Sequence, residues 1–269
     1  MAASLKDKTV LVTGAASGIG RKLAHDLYWD EKCRLILVDV DAEGLEVLKN
    51  ELEPEGDGDR VAAFVCDIAS EESVARLARE AGTGPLDVLV NNAGVTHLGS
   101  FEHTEFSDFE RVVRVNLLGT ARRPKSFLPG LLSGTEPFIV NVASMAGLVS
   151  APGMSAYVAS KFGVVGFSDA LHAEIGSRVG IGVVCPTFVR TNIAKGAHGK
   201  ADSFLGAVGS DPKKVSAAVI RTIKERKRLV LVNADAYLFY YFNRFFPSLS
   251  ETMVRAGYKV LLATGVIEE

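Results

Sequence analysis

Short β-branched apolar runs alternate along the chain with longer stretches of helical periodicity. The runs are Thr9 to Val12, Arg34 to Asp39, Val61 to Cys66, Asp87 to Asn91, Phe138 to Ala143, Gly180 to Cys185 and Leu229 to Val232. Segments such as LILV and VLV are apolar at every position rather than every second one, as expected of strands covered by helices on both faces. The pattern predicts an α/β fold of three layers, doubly wound around a mostly parallel sheet of seven strands. No fixed-period repeat or low-complexity linker interrupts it, so residues 1–269 read as one domain. Pro54 to Asp59 suits a surface turn. Asn192 to Gly209, rich in Gly, Ala and Ser, reads as a loop able to cover a site, with the substrate loop at about 192–210.

Composition narrows the function. Thirty Lys and Arg stand against 32 Asp and Glu, so no basic field points to a nucleic-acid partner. The start, MAASLKDKTV, enters a strand without the basic and then apolar segments of a secretory signal, and a cytoplasmic location is expected. Cys33, Cys66 and Cys185 lie in or beside apolar runs without CxxC spacing or a His partner. They read as buried free thiols, and no metal site is expected.

The first strand runs into Thr13-Gly14-Ala15-Ala16-Ser17-Gly18-Ile19-Gly20, ahead of a helical pattern beginning at Arg21. Without Cβ atoms at Gly14, Gly18 and Gly20, the chain can turn tightly and a pyrophosphate can approach the backbone. Its charge would meet free N–H groups and the positive end of the helix dipole. Ser17 and Ile19 complete the turn. The spacing is GxxxGxG rather than GxGxxG, and alone such a turn can be merely structural. Asp39, closing the second strand, adds an acceptor for the adenosine ribose hydroxyls and repels the 2′-phosphate of NADP. NAD is therefore the expected cofactor, with Arg21 the neighbouring cation able to reverse that choice. Asp67 and Ile68 follow the third strand where they can contact the adenine. Asn92, in Asn91-Asn92-Ala93-Gly94, should stabilise the central sheet beside the nucleotide.

Ser144-Met145-Ala146-Gly147 follows the fifth strand, and Tyr157-Val158-Ala159-Ser160-Lys161 opens the next long helix. The i,i+4 relation puts Tyr157 and Lys161 on one face, where an ammonium would stabilise phenolate. Bringing a phenol from about 10 to neutrality takes roughly 4 kcal/mol, within reach of one lysine plus an oxidised nicotinamide. By itself YxxxK is a weak signal.

Taken together, TGAASGIG, NNAG, Asn116, Ser144 and Tyr157-Val-Ala-Ser-Lys161 resemble the short-chain dehydrogenase/reductase family over roughly Lys6 to Val232. The resemblance implies a Rossmann fold and an oxidoreductase that exchanges a hydride between nicotinamide and an alcohol or carbonyl substrate. It implies Tyr157 as general acid/base, Ser144 orienting the substrate oxygen, Lys161 tuning Tyr157 and binding the nicotinamide ribose, and Asn116 holding a proton-relay water. Backbone groups near Val189 and Thr191 would meet the carboxamide. Thr187 stands where the family has glycine. Pro124, inside a helix beginning around Asn116, and its charged neighbours in Ala121-Arg122-Arg123-Pro124-Lys125 depart from the family's usual dimer helix. A homo-oligomer, dimer or tetramer, is nonetheless expected.

Other features read more weakly. His97 and His103 lie near the expected pocket mouth and read as surface histidines. Met145, Phe188, Phe204 and Leu205 line an apolar pocket or pack under the loop, and hint at an apolar substrate such as a lipid or steroid. Seven aromatics crowd Tyr237 to Phe246 in an aromatic-rich C-terminal segment at about 233–269. Too short to span a bilayer, they are expected to form a helix that buries its rings against the substrate loop or a partner subunit, with Asn243 and Arg244 near solvent and peripheral membrane contact as the other option. The alternative function is a non-catalytic NAD-binding regulator or scaffold. The presence of Ser144, Tyr157 and Lys161 favours the enzyme.

Overall fold

The computed structural model describes residues 3–54, 59–81, 84–187, 189 and 210–267. Seven strands, β1 (Thr9–Thr13), β2 (Arg34–Asp39), β3 (Val61–Val65), β4 (Val88–Asn91), β5 (Phe138–Val142), β6 (Gly180–Cys185) and β7 (Leu229–Leu231), form one sheet. Its order is β3-β2-β1-β4-β5-β6-β7, and every pairing is parallel. The chain winds outward from β1 in one direction and then from β4 in the other. A crevice therefore opens at the carboxyl ends of these two central strands.

Helices α1 (Gly18–Trp29), α2 (Ala42–Leu52) and α7 (Pro212–Lys224) cover one face. Their Leu23, Leu27, Leu48, Val215 and Val219 pack on Val10, Val12, Leu35, Leu37 and Val90. Residues one position along each strand, Leu11, Val38, Leu89, Ile139 and Ile181, turn the other way. They meet α3 (Glu71–Glu80), α5 (Gly119–Ser133) and α6 (Ser155–Ile175). Both faces are thus dry, which is why the strands lack polar alternation. Each fully buried Leu or Val contributes roughly 1.5–3 kcal/mol. Helices α8 (Ala234–Phe245) and α9 (Pro247–Ala263) complete the C-terminal part.

Two helix boundaries differ from those expected. Helix α1 begins at Gly18 rather than Arg21, because Gly18 at φ +53° makes the turn directly after Ser17. The helix carrying Asn116 does not begin there. It starts as α4 (Phe106–Val113), passes through a π-helical turn at Arg114–Leu118 and continues as α5. Pro124 is accommodated inside α5, and its charged neighbour Arg123 is fully buried rather than part of an outer surface.

Candidate active site

Every described residue of the expected site lies at or beyond the carboxyl end of a strand. After β1, Gly14 adopts φ +67°, open mainly to glycine, and a Cβ there would lie 2.8 Å from Ala93 Cα. A Cβ on Gly20 would collide with the carbonyl of Gly14. Ser17 precedes α1 with extended backbone, and its side chain makes no capping bond. No acidic residue occupies the first turn of α1 either, so this positive helix end is left for an anion. By contrast, Asp41 and Ser70 cap α2 and α3.

Asp39 is fixed by three backbone donors. Its Oδ2 accepts from Ala16 N at 2.9 Å, and Oδ1 accepts from Val40 N at 2.7 Å and Asp41 N at 3.1 Å. This ties the end of β2 to the glycine turn and leaves lone pairs for ribose hydroxyls. Arg21 instead pairs with Glu51 on α2. Asn92 latches β4 to β1: Nδ2 donates to the carbonyls of Thr13 (2.9 Å) and Gly14 (3.3 Å), and its N–H reaches Thr13 Oγ1 at 3.1 Å. Asp67 Oδ1 accepts from Ala69 N at 2.8 Å, and Ile68 is buried against Gly119. The glycine turn, open helix end and anchored carboxylate fit a dinucleotide.

The second half of the site follows β4 and β5. Asn116, 1% exposed, accepts from Val95 N and donates to Val95 O, each at 2.8 Å, and donates to Ser160 Oγ at 3.0 Å. Ser160 Oγ in turn donates to the Tyr157 carbonyl at 2.7 Å, so Asn116 braces the first turn of α6. A Cβ on Gly94 would lie 3.1 Å from Asn116 Oδ1 and 3.6 Å from Lys161 Nζ. Ser144 Oγ accepts from Ala146 N at 3.1 Å and acts on the Tyr157 phenol in favour of its charged form. Lys161 Nζ sits 5.6 Å from the Tyr157 ring centroid and donates to the Val142 carbonyl at 3.0 Å.

The protein's own groups hold the phenol above its ordinary value; the expected fall relied on Lys161 together with an oxidised nicotinamide. Burial pushes Tyr157 up to about 12, opposed by Ser144 and reinforced by the Cys185 side chain. Burial likewise pulls Lys161 down to about 8, against Cys185 and with help from the Arg123 charge. An i,i+4 spacing brings two side chains to one face but does not decide what each end group bonds.

Val189 lies beside the site in a bridge to Ser210, but Thr191 lies outside the described residues, as do Phe188, Phe204, Leu205 and the Asn192 to Gly209 loop. Thr187 is not in the left-handed region and contacts Ser210 Oγ at 3.0 Å, so the missing glycine costs no strain. Met145 packs with Val164 and Val183 in a small core. His97 pairs with Thr104, and His103 with Ser100. All three cysteines are buried free thiols.

The aromatic segment is helical, as expected, but its rings are not buried. Leu238 is 74% and Phe245 71% exposed, and only Ala236 of α8 is buried. Asn243 is half-buried and accepts from Ser250 Oγ at 2.8 Å, so it is not the solvent-facing residue expected. Sequence reasoning also missed Thr13 and Ser160, which bond Asn92 and Asn116, and the buried Arg123, which bonds Asn91.

A glycine turn at the β1/β4 crevice, a carboxylate ending β2 and a Ser, Tyr and Lys set behind β5 define a nicotinamide-dependent oxidoreductase of alcohols and carbonyls. The chain belongs to the short chain dehydrogenase family, whose model matches residues 8–201. It is similar to SadH of Mycobacterium tuberculosis, 37% identical over 199 residues, 72% of this chain and 71% of that one. Estradiol 17-beta-dehydrogenase 11 of Macaca fascicularis is 32% identical over 241 residues, 87% of this chain and 78% of that one. A short chain dehydrogenase/reductase from Burkholderia phymatum, solved in complex with NAD, superposes with a TM-score of 0.83 at 28% identity, covering 92% of this chain and 96% of that one.

Proposed function

We propose that this protein is an NAD-preferring dehydrogenase of a secondary alcohol of apolar character, with Tyr157 as general acid/base. The observation that carries the reading is the Lys161 ammonium fixed by the Val142 carbonyl 5.6 Å from the Tyr157 ring, with Ser144 the side chain that favours the phenolate. A substrate hydroxyl placed between Ser144 and Tyr157 would be oriented by the first and exchange its proton with the second. Oxidation needs Tyr157 as the anion, which burial alone opposes. The site therefore needs positive charge close by, and Lys161 is that charge among the protein's own groups.

Bound nicotinamide would supply the hydride acceptor or donor. Gly14, Ser17, Gly18, Ile19 and Gly20 would hold its pyrophosphate, Asp39 the adenosine ribose, Asp67 and Ile68 the adenine, Lys161 the second ribose, and Val189 and Thr191 the carboxamide. Asn92 would support the cradle from behind. Asn116 has one side-chain valence left, the second lone pair of Oδ1, with which to hold a relay water. An apolar substrate is supported by the likeness to an estradiol dehydrogenase and by the apolar C-terminal helices. We assign the chain to the cytoplasm as a single-domain homo-oligomer.

NAD and NADP reduction measured across alcohols from short aliphatic to sterol-like tests this reading. Turnover should rise with apolar size, favour NAD, and fall by about a thousandfold in Tyr157→Phe, while that variant retains NAD affinity. Asp39→Ala should narrow the cofactor preference without reversing it. Near wild-type turnover in Tyr157→Phe, or a wild-type preference for NADP, would contradict the assignment.

A further inference from the structure

Helix α5 drives Arg123 into the layer between the sheet and α6. The side chain is 0% exposed. No carboxylate is among the groups that shift it, and burial leaves the guanidinium near 9, still charged at neutral pH. Its Nε donates to Asn91 Oδ1 at 2.6 Å and Nη2 to Thr120 Oγ1 at 3.4 Å, while Nη1 has no partner among the described residues. A buried charge without a counter-ion is costly. A hydrophobic side chain of similar volume would serve the core better, so packing alone does not account for the arginine.

The hydrogen bonds show what it does instead. Asn91 and Asn141 are register partners on β4 and β5 and point to the α5/α6 face. Asn91 Nδ2 donates to Asn141 Oδ1 at 2.7 Å, Asn141 Nδ2 donates to Ser168 Oγ at 2.8 Å, and Ser168 Oγ donates to the Val164 carbonyl at 2.6 Å. An amide chain of this kind can run in either sense. Arginine has donors and no acceptor, so it forces Asn91 to present oxygen, and every later link then has only one sense. The chain ends on α6 at Ser168, two turns from Lys161 and on the same face. Lys161 itself bonds the carbonyl of Val142, the residue after Asn141. Helix α6 is thus pinned to β5 at two adjacent strand residues, one through the chain and one through the lysine.

We propose that Arg123 is a positioning residue for the Tyr157 and Lys161 pair. It orients the Asn91, Asn141 and Ser168 chain that sets α6 on the sheet, and it holds a positive charge within reach of Lys161. The inference rests on the catalytic reading above. The ionisable groups facing Lys161 among the described residues are Tyr157 on its own helix, Cys185 from β6 and Arg123 from α5, and only Arg123 is a second cation.

The test uses the whole chain with three variants. Arg123→Met removes the charge and the donors, Arg123→Lys keeps the charge and a donor, and Ser168→Ala cuts the far link but leaves the charge. Lysine side-chain titration is followed by NMR without cofactor, with the Lys161 signal assigned by its loss in Lys161→Ala. Turnover and thermal melts are measured alongside. In Arg123→Met the Lys161 midpoint should rise by about half a unit or more as a like charge is removed, and turnover should drop about tenfold or more. Arg123→Lys should hold the midpoint and restore turnover to within about threefold, and Ser168→Ala should lower turnover without moving the midpoint. A lowered melting temperature with wild-type midpoint and rate would mark a purely structural arginine and overturn the proposal. Should Arg123→Met not fold, wild-type turnover in Ser168→Ala would overturn it equally. Tyr157→Phe is the control: if it stays active the catalytic reading fails, and if it is inactive while the Arg123 variants are unchanged only this inference fails.

Discussion

Lys161 shows the conflict between stability and chemistry at a single residue. Its value falls from 10.5 to about 8 in the folded chain, chiefly through burial. Below pH 8 both native and unfolded states carry the proton, and the native state bears the full cost of a buried ammonium, on the order of 3 kcal/mol. Between about 8 and 10.5 the unfolded chain holds a proton that the native state has shed, so stability climbs with pH across that window. Lys161→Met should therefore raise the melting temperature at pH 7, the gain reduced by about 1 kcal/mol for the lost bond to Val142. Melts at pH 7 and pH 10 should show the variant's advantage shrinking. An advantage that is constant with pH would show that folding does not lower the pKa of the lysine. The sequence made Lys161 and Tyr157 visible through spacing, but not their bonding, because the carbonyl that takes the ammonium comes from β5. Arg123 read only as one of the charges flanking Pro124 in a helix expected to face a partner subunit. The signal that could have exposed it was the pair of asparagines at the ends of two otherwise apolar strands, a polar demand that some donor had to meet.

At the scale of elements, the caps separate architecture from binding. Asp41 accepts from Gly44 N at 3.0 Å and Ser70 accepts from Ser73 N at 3.2 Å, each satisfying a helix end. Ser17 stands at the corresponding place on α1 and caps nothing. Ser70→Ala should cost about 1 kcal/mol of stability and leave NAD binding unaltered. Ser17→Ala should show the reverse, nearly wild-type melting with weaker NAD binding by calorimetry. If Ser17→Ala destabilised the chain as much as Ser70→Ala, the idea that α1 keeps its end open for a ligand would be wrong. Strand positions were legible to within a residue because unbroken apolar runs admit few alternatives. Boundaries of α1 and of the helix through Asn116 were not, since a left-handed glycine and a π turn are backbone choices that periodicity does not record.

For the whole molecule, the C-terminal helices are the part whose chemistry was read and whose partner was not. Composition announced seven rings, yet nothing local could say what would cover them. Within one chain they are largely uncovered. An apolar surface of several hundred Å² would contribute on the order of 10 kcal/mol once covered, at about 25 cal/mol per Å². The chain beyond α9 also returns to the loop that precedes α6, where buried Ile267 packs on Gly153, held at φ +78°. Deleting residues 237–269 should therefore change sedimentation or lipid association, and should weaken bulky substrates more than small ones. A truncated protein with unchanged sedimentation, liposome pelleting and substrate range would show the segment to be dispensable.

The winding of the sheet also sets a schedule for synthesis. Strand β1 is bordered by β2 on one side and by β4 on the other, through Val10 to Val88, Leu11 to Leu89 and Val12 to Val90. A ribosome adding about 5–20 residues per second delivers β2 within seconds, but β4 only on the order of ten seconds later. Throughout that interval β1 offers the growing chain's neighbours a bare edge of Val10, Leu11 and Val12. A nascent chain arrested after β3 should bind a chaperone such as trigger factor and crosslink to copies of itself, and one arrested with β4 clear of the tunnel should do neither. The same central crevice that receives a nucleotide in the finished protein is, in the unfinished one, the place most exposed to misassociation.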